Sequence, residues 1–335
     1  MVKLATESKY QSLLDELIRG GAAPGAALGI VTLTGEMVLA TSGVRSLIDD
    51  SPIRSGDHFH LGSCAKAITA TVAAELVEEG LINWYEPISS VCDLPTEASL
   101  AQLLNHTAGL PPFEEERELL GMPELPKDAV QNRRGFAEFV LGHRDSSPPG
   151  TAMRYSNAGY AVVGAVIDTL TNSSWEEAVR LRIFERLDLA AGFGWPAAAR
   201  ASNPWGHQLI DGRLVPHPPD DSYQLEPWIA PAGDIHMSFM SFLRWQHANL
   251  EALSSGSGAL SPRVIRTVHE NGYGWGRQQF AGHNISGHTG SADTFFAAAI
   301  ILHDIGMGVV VTTNATWERC EPATMELLKE IVRAL

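Results

Sequence analysis

Apolar residues recur along this chain with two different periods, and the change of period marks out its parts. In the N-terminal segment MVKLATESKYQSLLDELIRGG, Leu13, Leu14, Leu17 and Ile18 stand at helical spacing with charges between them, which predicts an amphipathic helix. The stretch that follows, PGAALGIVTLTGEMVLATSG, reads as two β-rich runs joined at Thr34-Gly35, a hairpin signal. Near the other end, Phe295–Leu302 is a continuous apolar run suited to a central strand, His303–Gly306 a turn, and Met307–Thr313 a second strand. NGYGWGRQQFAGHNISGHTG predicts a further hairpin, its glycines allowing close backbone approach. ERCEPATMELLKEIVRAL closes the chain as a helix with Pro322 near its start.

The middle behaves differently. Residues 66–80, 97–105, 135–142, 157–171 and 174–187 carry helical periodicity, separated by Pro- and Gly-rich loops such as GLPPFEEE and SSPPGTAMRYS. Strands at both ends with helices between them predict an α+β fold: one antiparallel sheet built from distant segments and flanked by helices, with a mostly helical insertion. The expected division is a sheet subdomain from 1–62 and 232–335, a helical subdomain over 63–231, and an active site between them. Loops 111–134 and 203–230, rich in Trp, Pro and acidic residues, are expected to shape the pocket.

Composition narrows the function. A chain of 335 residues, 44% hydrophobic and 19% charged, is an ordinary globular enzyme-sized chain. Its net charge of −15 argues against nucleic acid and against anionic membrane surfaces as partners. Cys64, Cys92 and Cys320 are too few and too scattered for a disulfide framework or a zinc site. The N-terminus lacks the apolar core and cleavage site of a signal peptide, and no apolar run is long enough to span a bilayer. The expectation is a soluble cytoplasmic protein, or a periplasmic or secreted one if a leader has been removed. No metal or cofactor has a ligand pattern; the partner expected is a small molecule, and the oligomeric state stays open.

The chemistry starts in FHLGSCAKAITATVAAELVEEG, residues 59–80, which reads as a helix from Ser63 to Glu79 stopped by Gly80. Among the five lysines of the chain, Lys66 falls in the first helical turn beside Ala65, Ala67 and Ile68. A cation there opposes the positive end of the helix dipole, and its neighbours suggest burial. Residues three apart share a helix face, so Ser63 and Lys66 are neighbours. Serine is a weak nucleophile that needs an adjacent base, and burial with the dipole favours the neutral amine that could serve. The plainer alternative makes Ser63 a helix cap and Lys66 a solvated surface residue. Cys64, one position on, points to a different face and reads as packing.

Two further elements stand downstream. RYSNAGY, residues 154–160, brackets a serine with Tyr155 and Asn157 at the start of an apolar helix, and GHTGSADTF places His288-Thr289-Gly290 at the end of a strand. S-x-x-K, then Y-x-N, then a basic residue before Thr-Gly, in this order, resembles the penicillin-recognising serine hydrolases. The Y-S-N and H-T-G versions resemble the branch that holds class C β-lactamases, DD-carboxypeptidases, D-aminopeptidases and lactamase-like esterases. LLNHTAGLP (103–111) and PAGDIHMSFMSFLRW (231–245) resemble further segments of that branch.

The resemblance implies a serine β-lactamase-like fold and a set of roles. Ser63 would be the acylated nucleophile, with Lys66 and Tyr155 as the proton-transfer pair. Asn157 would position the substrate, while His288, Thr289, Gly290 and Ser291 would line the opposite wall. The backbone N–H groups of Ser63 and Ser291 would form the oxyanion hole. One departure matters: the lactamases carry Lys where this chain has His288, and an imidazole is only partly charged near neutrality. This weighs against an efficient β-lactamase. A chain without a secretion signal would not meet peptidoglycan, so the expected function is a serine hydrolase of carboxylic esters or amides, a β-lactamase-like carboxylesterase. A D-stereospecific peptidase or DD-carboxypeptidase and a weak β-lactamase are the alternatives. A non-hydrolysing sensor of β-lactams or muropeptides is the alternative of a different class.

Overall fold

All seven residues of Phe296–Leu302 and all seven of Met307–Thr313 are buried. Strands that read as unbroken apolar runs must be covered on both faces, so the fold has to place helices on either side of them. The computed structural model describes residues 7–335 apart from 114, 115, 144, 145, 255 and 257. Residues 1–6 of the N-terminal helical segment, and part of the GLPPFEEE loop, thus lie outside the described residues.

In chain order, α1 (Glu7–Arg19) leads into β1 (Gly25–Thr32), β2 (Met37–Gly43) and β3 (His58–His60). A 3-10 turn, Gly62–Ala65, continues into α2 (Lys66–Glu78), followed by α3 (Leu100–Leu104), α4 (Ala129–Leu141), α5 (Asn157–Thr171) and α6 (Trp175–Val179). Next come β4 (Ala191–Phe193), α7 (Pro196–Ala199), β5 (His207–Ile210), β6 (Arg213–Pro216) and α8 (Ala230–Gly233). The chain ends with β7 (Ile235–Ser238), α9 (Phe239–Ser254), α10 (Pro262–Asn271), β8 (Gly276–Phe280), β9 (His283–Ser291), β10 (Phe296–Leu302), β11 (Met307–Thr313), β12 (Ala315–Thr316) and α11 (Cys320–Ala334).

The main sheet has the order β2-β1-β11-β10-β9-β8, every pair antiparallel. Both chain ends build it, as their hydrophobic pattern predicts. Side chains alternate between faces along a strand, and the register sorts them. Ile30, Val309 and Ile300 pack with Leu14 of α1 and Leu328 and Ile331 of α11 on one face. Ala27, Val31, Ala297, Ala299 and Ile301 join α2, α9, α10 and the helical block on the other. We call these the outer and inner faces. No described helix is long and apolar enough to cross a membrane.

Two small sheets, β3-β7-β4 and β12-β5-β6, have no counterpart in the sequence reading, because strands of two to four residues are too short to show a period. The helices match it more closely. α5 spans the predicted 157–171, with Ser156 as its cap accepting from the Gly159 N–H. α4 starts earlier than expected, at Ala129, where the Asp128 side chain accepts from the Gln131 N–H. The expected helix from Ser63 starts three residues later. Ser63 itself sits in the 3-10 turn, which follows Leu61, tied by its N–H to the Ile235 carbonyl of β7 at 2.8 Å.

The helical block is held by a buried charge. Arg133 of α4, 0% exposed, donates to Asp168 of α5 at 2.8 Å and to Glu176 of α6 at 2.8 Å. Burial pushes the Asp168 carboxyl up to about 6 even against this arginine. Removing one partner of a buried ion pair leaves the other uncompensated. Arg133→Ala is expected to cost about 3–5 kcal/mol of stability, read as a lower urea midpoint. A loss below about 1 kcal/mol, the range of surface pairs, would show that solvent enters this site freely.

Candidate active site

The 3-10 turn and the first turn of α2 set Ser63 and Lys66 side by side, with Lys66 Nζ 2.8 Å from Ser63 Oγ. Lys66 is 0% exposed, so each of its polar contacts has to come from the protein. Beyond Ser63 it donates to Asn157 Oδ1 at 2.8 Å and to the Ala232 carbonyl at 2.6 Å. Tyr155 arrives from the loop before α5 and donates its hydroxyl to Ser63 Oγ at 2.7 Å. Ser63, Lys66, Tyr155 and Asn157 therefore form one connected group, as their motifs led us to expect.

The donor inventory of this group has a chemical consequence. The Asn157 Oδ1 and Ala232 carbonyl contacts only accept, so they occupy two N–H groups of Lys66 in either protonation state. The third direction faces Ser63 Oγ. There an ammonium presents N–H, whereas a neutral amine presents its lone pair. The two states differ by one proton lying on the line between Nζ and Oγ. With Lys66 protonated and Tyr155 neutral, both donate to the serine oxygen and neither can receive its proton. One of them must first lose a proton for Ser63 to become a nucleophile.

The end of β9 closes the other side, and two glycines let it approach. Gly62 has φ +49°, and a Cβ there would lie 2.7 Å from the Ser291 nitrogen. A Cβ on Gly290 would lie 2.0 Å from the Leu61 carbonyl oxygen and 2.8 Å from the Ser63 nitrogen. Both are far inside contact distance, so the two backbones meet only because neither carries a side chain. This brings the backbone of Ser291 against the turn that holds Ser63.

His288 and Gly290 pair with Ala299 and Ala297 on the inner face, while Thr289 pairs with Ala298 on the outer one. The side chain of Thr289 is thus turned away from the face shared by His288 and Gly290, and it lines a cleft beside the site. The His288 ring lies 6.2 Å from the Tyr155 ring, and its Nδ1 contacts the Thr289 carbonyl. Desolvation, with the nearby Lys66 charge, pushes its imidazole down to about 4. His288 is accordingly neutral around pH 7, rather than the partly charged group expected from its sequence position.

Three contributors were not singled out from sequence. His106, at φ +62°, packs tilted against Tyr155 with ring centroids 4.5 Å apart, and its Nδ1 accepts from the Ser156 N–H. Burial, then the charges of Lys66 and His288, push it down to about 3, so it is a neutral ring with its proton on Nε2. His60 accepts from the Gly62 N–H through Nδ1 and meets Asp234 through Nε2 at 3.1 Å. It thereby ties the turn that carries Ser63 to the segment carrying Ala232. The LLNHTAGLP and PAGDIHMS segments flagged these regions, but a backbone carbonyl such as that of Ala232 has no residue signature.

Cys64 is buried, and its thiol donates to the His288 carbonyl at 3.3 Å. Desolvation pushes it up to about 12, against the lowering effect of Lys66. No three His, Cys, Asp or Glu side chains gather as a metal site among the described residues. Since only the thiolate is reactive, iodoacetamide at pH 7.5 should leave Cys64 unmodified in the folded protein, as read by intact mass and peptide mapping. Rapid alkylation of Cys64 would show that this part of the site opens to solvent.

A family model described as Beta-lactamase matches residues 11–328. The chain is 23% identical over 333 residues to Penicillin-binding protein 4 of Amycolatopsis lactamdurans, covering 91% of this chain and 84% of that protein. It is 25% identical to the Unguisins hydrolase ungD' of Aspergillus campestris, covering 77% of this chain but only 53% of that one. In three dimensions it is similar to the D-amino acid amidase of Ochrobactrum anthropi SV3 solved with D-phenylalanine. The TM-score is 0.80 at 21% identity, over 98% of this chain and 99% of the other.

Proposed function

This chain belongs to the beta-lactamase family, and from that premise we propose that it hydrolyses neutral carboxylic esters or amides through an acyl-enzyme on Ser63. The observation that carries the reading is the convergence of Lys66 Nζ and Tyr155 OH on Ser63 Oγ, at 2.8 and 2.7 Å. In acylation, Ser63 Oγ bonds to the substrate carbonyl carbon while its proton passes to the Lys66–Tyr155 pair. The carbonyl oxygen takes the negative charge, facing the backbone N–H groups of Ser63 and Ser291. The tetrahedral intermediate collapses, the bond to the leaving oxygen or nitrogen breaks, and the pair returns the proton to that atom. Water then attacks the acyl-enzyme by the same proton path, releasing the acid and restoring Ser63. Preorganised donors at the developing oxyanion supply much of the rate in such chemistry.

The neutral state of His288 supports substrates without a carboxylate beside the reacting bond. Where a lysine would offer a permanent cation, this chain offers an imidazole pushed down to about 4. A β-lactam or a C-terminal D-peptide carries its carboxylate to this wall and finds no charge to meet it. D-residue amides without a free carboxylate remain compatible with the reading.

Ser63→Ala should abolish turnover of p-nitrophenyl esters and labelling by a fluorophosphonate probe. Lys66→Ala and Tyr155→Phe should each reduce turnover by about a hundredfold or more. Their double mutant should be little worse than the poorer single, because the two serve one proton path. Fully additive losses would separate them. A stable acyl adduct that never turns over would favour the sensor instead.

The depressed imidazole makes a second expectation. Its folded value lies below the ordinary 6.5, so His288 is already neutral at pH 5 and stays so through pH 8. Acidification to pH 5 should therefore not improve activity on carboxylate-bearing substrates relative to neutral esters. His288→Lys should raise acylation by nitrocefin while leaving p-nitrophenyl acetate equal or slower. Wild-type nitrocefin turnover as fast as that of its best ester would defeat the assignment to neutral substrates.

A further inference from the structure

A cleft of about 510 Å³ begins at Tyr155, His106 and His288 and continues along the outer face of the main sheet. That volume is in the range of small-molecule sites. Register explains its course. Gly276, Gln278 and Phe280 of β8, Ile285, Gly287 and Thr289 of β9, and Ala298 and Ile300 of β10 share one face by alternation, and all of them line it. Met325 and Leu328 of α11 form the opposite wall. Gly276 and Gly287 face each other directly across β8 and β9. Gly276 leaves groove space that a side chain would fill, whereas at Gly287 a Cβ would already meet Ile300 Cγ2 at 2.7 Å.

Two features point to an apolar occupant. Phe280, Ile285, Ile300 and Leu328 make the sheet and α11 walls apolar, while Glu270, Asn271, Arg277 and Gln278 add polar groups along the side next to α10 and β8. The histidines at the mouth, His106 and His288, are neutral rings. The cleft also starts at the residue that must hand a proton to the departing atom. We infer that this groove holds the leaving-group side of the substrate, an unbranched alkyl or aryl-alkyl alcohol or amine, and that Gly276 and Met325 set how long it can be. The inference rests on the reading of Ser63 and Tyr155 given above.

The two substrate arms can be varied separately. For acetate esters of methanol, butanol, hexanol and benzyl alcohol, kcat/KM should rise about threefold to fourfold per methylene until the groove is filled, as burial of a CH2 predicts. Gly276→Val adds volume where the nearest atom to a new Cβ is the Gly287 carbonyl oxygen at 3.2 Å, with no left-handed φ to forbid it. Met325→Trp narrows the groove from the α11 side and repeats the test should the first variant fold poorly. Each should lower the hexyl-to-methyl ratio of kcat/KM by about tenfold, the equivalent of losing two buried methylenes. The octanoyl-to-acetyl ratio among p-nitrophenyl esters should move much less. A wild-type alcohol series that is flat, or variants that shift both series equally, would overturn the inference. Wild-type protein that neither binds a fluorophosphonate at Ser63 nor turns over any ester would fail at the hydrolase reading itself. Labelled, active protein with a flat alcohol series would remove the groove alone.

Discussion

The burial of one amine organises this molecule. Lys66 is enclosed completely, and a charge or amine without partners in such a place is costly. Its acceptors come from three other segments: Ser63 in the 3-10 turn, Asn157 at the start of α5, and the Ala232 carbonyl in α8. Satisfying it therefore fixes the helical block, the nucleophile turn and the entry to β7 relative to one another. One of these contacts faces the serine oxygen itself. Stability and reactivity are set by one constraint.

Around that amine the structure removes other charges. His106 and His288 are both pushed far below the ordinary imidazole range, first by desolvation and then by Lys66 itself. Cys64 is held as a thiol. The surface carries a net charge of −15, yet the rings lining the site are neutral. This contrast separates the colloidal properties of the surface from the chemistry inside. Positioning falls to two further rings: His60 bridges Gly62 and Asp234, and the neutral His106 packs against Tyr155.

Much of this could be read from residue order, for definite reasons. The apolar runs of β10 and β11 and the helical period of α5 are long enough to announce themselves. Ser63, Lys66, Tyr155 and Asn157 meet through their own side chains, so their types and spacing carry the information. What was hidden depends on the backbone or on tertiary burial. The three-residue β3 is too short for a period, and the 3-10 turn at Ser63 looks like helix in sequence. Ala232 contributes only its carbonyl. The charge state of His288 follows from desolvation that no local pattern encodes, and the outward turn of Thr289 follows from strand register.

The meeting of β1 with β11 also bears on how the protein is made. Ala26 to Thr32 lie opposite Met307 to Thr313, so β1 has to wait on a ribosome for a partner strand made much later. Until then its inner edge is unpaired, and an unpaired apolar edge is a template for association. β9 and its Ser291 backbone arrive equally late, so the turn at Ser63 lacks its facing wall throughout synthesis. A chain that stops before β9 therefore lacks the backbone that faces Ser63. Contacts this distant in sequence are slow to form.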